Sequence, residues 1–193
     1  MIAGLTFAYL TTTSGTKTNT FTLGSNIAIK LAEPNWDNLD YDNHPAGITA
    51  TLGQDLAQNF IPGRVIPKNP SVKNASTLND VWVAIKIDYT VGEKGDTIDD
   101  TYAELSNFAT IAWNFGIEWE AKTADYIVFY YKEILAPDEF TDVLFSNVTI
   151  STLVIQEELH PFEFNIKSYA VQATGLIYED AKTELDALIA MNP

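Results

Sequence analysis

Apolar residues recur along most of the chain with a period of two, the spacing at which a strand sends alternate side chains to opposite faces. Val81, Val83, Ile85, Ile87 and Tyr89 make one such row, with Lys86 and Asp88 on the other side. Phe115, Ile117, Trp119 and Ala121 make a second, alternating with Gly116, Glu118, Glu120 and Lys122, as a strand with one wet face does. Ile27, Ile29 and Leu31 give a shorter row. Val148 and Ile150 continue the theme after a turn around Pro137-Asp138-Glu139. Tyr126 to Tyr131 is apolar on both faces and rich in aromatics, which predicts a central strand covered on both sides. Near the end, Phe162, Phe164 and Ile166 share one parity, whereas Tyr169, Val171 and Ala173 share the other. That change predicts a bulge or bend near Lys167-Ser168, through which one strand serves two sheets.

Two stretches follow helical spacing. Tyr102, Leu105, Phe108, Ala109, Ala112 and Trp113 lie behind the acidic start Asp99-Asp100, and Ala181, Leu185, Leu188 and Ile189 behind Glu179-Asp180. Acids in those places suit the positive end of a helix. Pro62-Gly63 marks a turn, with proline pre-set for the second position and glycine free to take positive φ. Asn35 to Gln58 is less regular and reads as a long surface excursion. Many strands and few helices predict a mainly β protein, a jelly-roll-like antiparallel β-sandwich with one or two short helices. Neither an internal repeat nor a linker breaks the chain. Residues 13–193 read as a single sandwich domain with a helical insertion near 96–114, and residues 1–12 stand apart at its start.

Composition narrows the partners. The 193 residues suffice for one domain with a real core, and 46% apolar and 12% aromatic residues are globular values. No cysteine is present, which excludes a disulfide framework and thiolate metal sites. A net charge of −15, from 26 acidic against 11 basic residues, repels phosphate backbones and anionic lipid heads. Nucleic acid is therefore not an expected partner. No run of eighteen apolar residues occurs, so membrane insertion of the mature chain is not expected either. Gly4-Leu5-Thr6-Phe7-Ala8 matches the tail of a secretory signal, with Thr6 and Ala8 in the small-residue places before a cleavage point. The alternative is an apolar first strand over Met1 to Leu10.

Several pieces together resemble the TasA/camelysin family of exported bacterial proteins. They are Ala8-Tyr9-Leu10-Thr11, Asn19 to Gly24, Ile27 to Trp36, Pro62 to Asn74, Tyr130-Tyr131-Lys132, Pro137 to Phe145 and Ala170 to Ala173. The resemblance implies export, a jelly-roll domain and a role in a biofilm matrix, a fibre or the cell surface. Asp96 to Asn114 departs from the family pattern.

Some members of that family are described as metalloproteases, so zinc chemistry is the first to test. A helical HExxH pairing, which puts two imidazoles on one face, is absent. His44 and His160 are the only histidines, each beside a proline, and a catalytic zinc needs three protein ligands. Asp37 to Asn43 could offer oxygens to calcium but lacks the glycine and terminal glutamate of a calcium loop. Asp96 to Asp100 reads as a helix start. Glu118 and Glu120 share a strand face, as exposed surface glutamates commonly do. Trp82, Trp113, Trp119 and the Tyr126-Phe129-Tyr130-Tyr131 group suit core packing better than a sugar-stacking platform. No catalytic, cofactor-binding or metal-ligating set is expected, and no cofactor.

What remains is assembly. A sandwich has edge strands with unpaired backbone groups, and an apolar segment can add to a neighbour's edge. The candidates for such strand donation are Ala3, Leu5, Phe7 and Tyr9, or their even-numbered neighbours. The expected partner is a second copy or another matrix or surface protein. The expected function is a secreted structural protein, with an adhesin or carbohydrate-binding module, or a camelysin-like metalloprotease, as alternatives.

Overall fold

The computed structural model describes residues 11–14, 18–19, 27–37, 51–92, 101–116 and 118–192. Its longest ladder joins two strands of eleven residues, Val81–Val91 (β6) and Phe162–Gln172 (β11). They pair antiparallel from Val81↔Gln172 to Val91↔Phe162 without a break in register. Around them stand Thr11–Ser14 (β1), Thr18–Asn19 (β2), Trp119–Ala121 (β8) and Val128–Tyr131 (β9). Together they form a six-stranded sheet in the order β2-β1-β11-β6-β9-β8. Against one face lie two smaller sheets. One contains Val65–Pro67 (β4), Phe145–Ile150 (β10) and Ala109–Trp113 (β7) in the order β4-β10-β7. The other pairs Ile29–Ala32 (β3) with Ser71–Asn74 (β5). Every ladder is antiparallel, and the expected β-sandwich is the fold.

The helices are Pro34–Asp37 (α1), Gly53–Ala57 (α2), Tyr102–Ser106 (α3) and Tyr178–Met191 (α4), with a 3-10 turn at Gln156–Glu158. α4 covers the other face of the large sheet. The molecule is thus layered as small sheets, large sheet, helix.

Two apolar cores follow from the period of two. Val81, Val83, Ile85, Ile87, Tyr89 and Val91 of β6 point into the core shared with Ile66, Ile111, Phe145, Val148 and Ile150 of the small sheets. Trp82 and Ala84 point the other way and pack with Tyr130, Tyr169, Val171 and the α4 residues Ala181, Leu185, Leu188 and Ile189. Each fully buried large apolar side chain contributes roughly 1.5–3 kcal/mol relative to an exposed one.

This arrangement corrects the bulge expected at Lys167-Ser168. Lys167 pairs with Lys86 and Ser168 with Ile85 in an uninterrupted ladder. The parity changes because the cover changes. Ile166 and Ala170 belong to the core beneath the small sheets, whereas Tyr169, Val171 and Ala173 lie under α4. One straight strand carries both signals.

The helix expected to run through Trp113 stops at Ser106. The Asn107 N–H donates to the Glu104 carbonyl and the Phe108 N–H to the Leu105 carbonyl, and Ala109 to Trp113 is then strand. Ala109 and Ile111 are buried while Thr110 and Ala112 are exposed, an alternation that the alanines had hidden in the sequence. The strand expected from Phe115 begins only at Trp119, and Phe115 is exposed rather than inward. Ile117 lies outside the described residues. Within the expected surface excursion, residues 35–37 and 51–58 include most of α1 and all of α2, and Trp36, Leu56 and Ala57 pack against the main core. α2 approaches β4 so closely that a Cβ on Gly53 would stand 2.0 Å from the Pro67 carbonyl oxygen.

Candidate functional site

The donor candidates Ala3, Leu5, Phe7 and Tyr9 lie outside the described residues, as do His44, Asn38 to Asn43 and Asp96 to Asp100. What is described is where the chain enters the sheet. Thr11 pairs with Val171 and Ser14 with Ser168, so β1 runs along the C-terminal half of β11. β11 ends at Gln172, one residue past the partner of Thr11. Its ladder therefore has almost no length left for residues before Thr11. On the outer side of β1, β2 pairs with Thr13 and Ser14 among the described residues.

The sandwich is tied by polar groups in the segment that follows the Pro62-Gly63 turn. That turn is formed as expected: Gly63 has φ 79°, and the Arg64 N–H donates to the Ile61 carbonyl at 3.1 Å. Beyond it Lys68, Asn69, Ser71 and Asn74 are all buried. Asn74 Nδ2 donates to the carbonyls of Asn79 and Leu135, both at 2.8 Å, and its Oδ1 accepts from the Ser76 N–H. Lys73 binds Asp138 at 2.7 Å and pulls that exposed carboxyl below the usual range. The 137–139 turn is thereby clamped to β5. Unpaired, such groups would each cost about 1–3 kcal/mol; paired, they fix one register.

Lys68 also builds the clearest concavity. Its ammonium lies 2.7 Å from Glu33 and 4.4 Å from the centroid of the Trp36 ring. Ala57, Phe60, Ile66, Val148, Phe162 and Phe164 give a cavity of about 190 Å³ its apolar wall, and Glu163 adds a second acidic residue beside the ion pair. Neither Trp36 nor Lys68 was singled out in the sequence. No local pattern signals a lysine that is buried by a partner thirty-five positions away.

The aromatics divide. Trp119 is fully buried and donates its indole N–H to the Asp142 carbonyl at 2.9 Å, and Trp82 lies under α4 with its N–H 3.3 Å from the Leu176 carbonyl. Phe129, Tyr130 and Tyr131 are buried on both faces of β9, as expected of a covered strand. Trp113, Phe115 and Tyr126 instead form a half-open ledge of nearly parallel rings, their centroids 5.4–5.7 Å apart. Tyr102, Phe129 and Phe145 close around the same indole, so these rings spend their faces on one another.

Ionisable groups gather at α4. Tyr130 donates to Asp186, Lys122 binds Asp186 at 2.8 Å, and Lys182 joins Glu120 at 3.0 Å to Glu179 at 2.9 Å. Glu120 is therefore a tie to the helix. Burial pushes the Tyr131 phenol up to about 12, reinforced by the Asp142 charge, and Tyr169 to about 12, reinforced by Asp88. Tyr89, Tyr130 and Tyr178 are raised as well, burial again first. His160 is exposed and meets Phe108 edge-on at 6.2 Å. Among the described residues no three His, Asp or Glu side chains converge as a metal site would require.

No family model, no curated protein and no solved structure matches the chain.

Proposed function

We propose that the chain is a secreted structural protein of a bacterial cell surface or biofilm matrix, and that copies assemble by pairing strand edges. In this reading the residues before Thr11, with Ala3, Leu5, Phe7 and Tyr9 on one face, add to the sheet of a neighbour. The observation that carries it is the register of β1. Thr11 stands opposite Val171, and β11 stops at Gln172, one residue further on. An apolar segment can add to the exposed edge of a neighbour's sheet, where backbone hydrogen bonds hold it. Export and the matrix setting are supported by the resemblance of Pro62 to Asn74 and its companion pieces to the TasA/camelysin family. The adhesin alternative has less support, because the rings of the half-open ledge face one another. Removing residues 1–10, which leaves β1 intact, is expected to leave folded monomers by sedimentation and negative-stain microscopy. Polymers that form equally well from the shortened chain would refute strand donation.

A further inference from the structure

The ion pair of Lys68 with Glu33 stands in the wall of the cavity between α1, α2, β4 and the start of β11. The Lys68 side chain is 7% exposed and that of Glu33 17%. Taking two charges out of water is costly, and such a pair often stabilises a fold no better than apolar side chains of the same volume. Stability alone is a weak reason for it.

The pair is also incomplete. An ammonium has three N–H donors. Among the described residues Lys68 Nζ meets one acceptor, Glu33, while the Trp36 ring covers another side. Charge brings the two groups to 2.7 Å, but the approach is off-axis, and the buried Oε1 of Glu33 makes no aligned hydrogen bond. A spare donor and a spare acceptor therefore sit side by side.

Three hydrogen bonds hold them there. The Trp36 N–H donates to the Glu33 carbonyl at 2.8 Å, the Asn35 N–H to Asn69 Oδ1 at 2.7 Å, and the Lys68 N–H to the Ser146 carbonyl at 3.2 Å. Residues 33–36 are thereby fixed against residues 68–69, so the polar pair is in place before any ligand arrives.

The remaining wall is apolar. The Phe162 ring lies 5.4 Å from Phe60 and 5.5 Å from Phe164, centroid to centroid, and Ile66 pairs with Val148 across β4 and β10. The volume of about 190 Å³ exceeds the roughly 150 Å³ that accepts benzene, and admits one ring with a small substituent. Apolar walls with a few convergent polar groups are the usual form of a small-molecule site.

Charge selects the substituent. A cationic group would meet Lys68. An anionic one would meet Glu33, with Glu163 lining the same cavity and a chain charge of −15 around it. A neutral hydroxyl suits both partners, because it accepts from an N–H and donates to a carboxylate oxygen at once.

We infer that this cavity binds a small neutral aromatic alcohol of one ring. Its hydroxyl accepts from Lys68 Nζ and donates to Glu33 Oε1, and its ring lies among Phe60, Phe162 and Phe164. The site is at the start of β11, whereas β1 pairs with residues 168–171 toward the other end. It goes beyond the assembly reading and does not depend on it.

The test uses the full chain, p-cresol as the probe, and toluene and p-toluate as its uncharged and anionic comparisons. Calorimetry is expected to give p-cresol a Kd below about 1 mM. Toluene, which lacks the hydroxyl, is expected to bind about tenfold more weakly or worse, and p-toluate not at all. Amide shifts should move around residues 33–36 and 57–68. Ala57→Phe, which fills the cavity, is expected to abolish binding while circular dichroism shows the fold retained. The paired variant Lys68→Met with Glu33→Gln leaves no lone buried charge, and is expected to bring p-cresol down to the affinity of toluene. A merely structural ion pair would change neither ratio. No binding of p-cresol to the parent chain, equal binding of toluene, or p-cresol affinity unchanged in Ala57→Phe each overturns the inference. Should the paired variant fail to fold, the ligand series on the parent chain and Ala57→Phe still decide it.

Discussion

The two faces of the large sheet are covered in different ways. Beneath the small sheets the core is broad and aromatic, with Phe108, Trp119, Phe129, Phe145, Phe162 and Phe164 contributing from five separate segments. On the other face the cover is one helix, and only Ala181, Leu185, Leu188 and Ile189 of it are buried. The helix side compensates at its rim. Tyr130, Asp186, Lys122, Lys182 and Glu120 join α4 to β8 and β9, and the Tyr169 hydroxyl donates to the Asn192 carbonyl at 2.8 Å. Area holds one face together. Area and directed polar contacts share the work on the other, which ties α4 to a single rotational setting and so fixes which stripe faces outward.

Truncation should separate the faces most clearly. Phe145→Ala in the main core is expected to lower stability by about 3–5 kcal/mol, because a ring touched by Trp113 and Phe164 leaves a cavity that neighbouring strands cannot close. Leu185→Ala under α4 is expected to cost about 2–3 kcal/mol, since a single helix can settle into the space more easily. Denaturant midpoints of the two variants measure the difference; equal losses would show that the helix layer is packed as rigidly as the sheets.

A smaller effect is expected at the rim. Asp186→Ala removes the acceptor of the Tyr130 hydroxyl and the partner of Lys122, at a cost of about 1–2 kcal/mol. Hydrogen exchange should rise in α4 and stay unchanged in β6, which distinguishes loosening of one layer from global unfolding.

The mildest probe is alkaline pH. Free phenols titrate near about 10, whereas Tyr131 and Tyr169 are raised to about 12. A raised value means the fold favours the neutral form. The contribution is intact below about pH 10 and is lost as pH climbs through 12. Tyrosinate absorbance should therefore lag behind that of the unfolded chain, and stability should fall across the same window. Coincident titration of folded and unfolded protein would contradict the burial of these rings.

Much of the fold was legible in the sequence because period two survives wherever a strand has one dry face. β6 and β10 lie where the alternation put them, and β9 where its doubly apolar run did. Errors arose where cover, and not backbone, sets the pattern. The parity change in β11 reflects a second layer arriving, and the alanines of β7 imitate a helix because small residues fit either period. Pro62-Gly63 announced its turn. The charge of Lys68 was visible, and its burial against Glu33 and Trp36 was not.

The junction of β1 with β11 also has a mechanical meaning. Antiparallel ladder bonds lie across the strands. A pull applied to Thr11 along the strand axis would strain the bonds between β1 and β11 in shear, all at once, and not peel them open one by one. Four residues make that joint short. Behind it, the eleven-residue ladder of β6 and β11 is much longer. Under such a pull the chain would yield at β1 while the sandwich stays folded, and the joint would re-form when the tension is released.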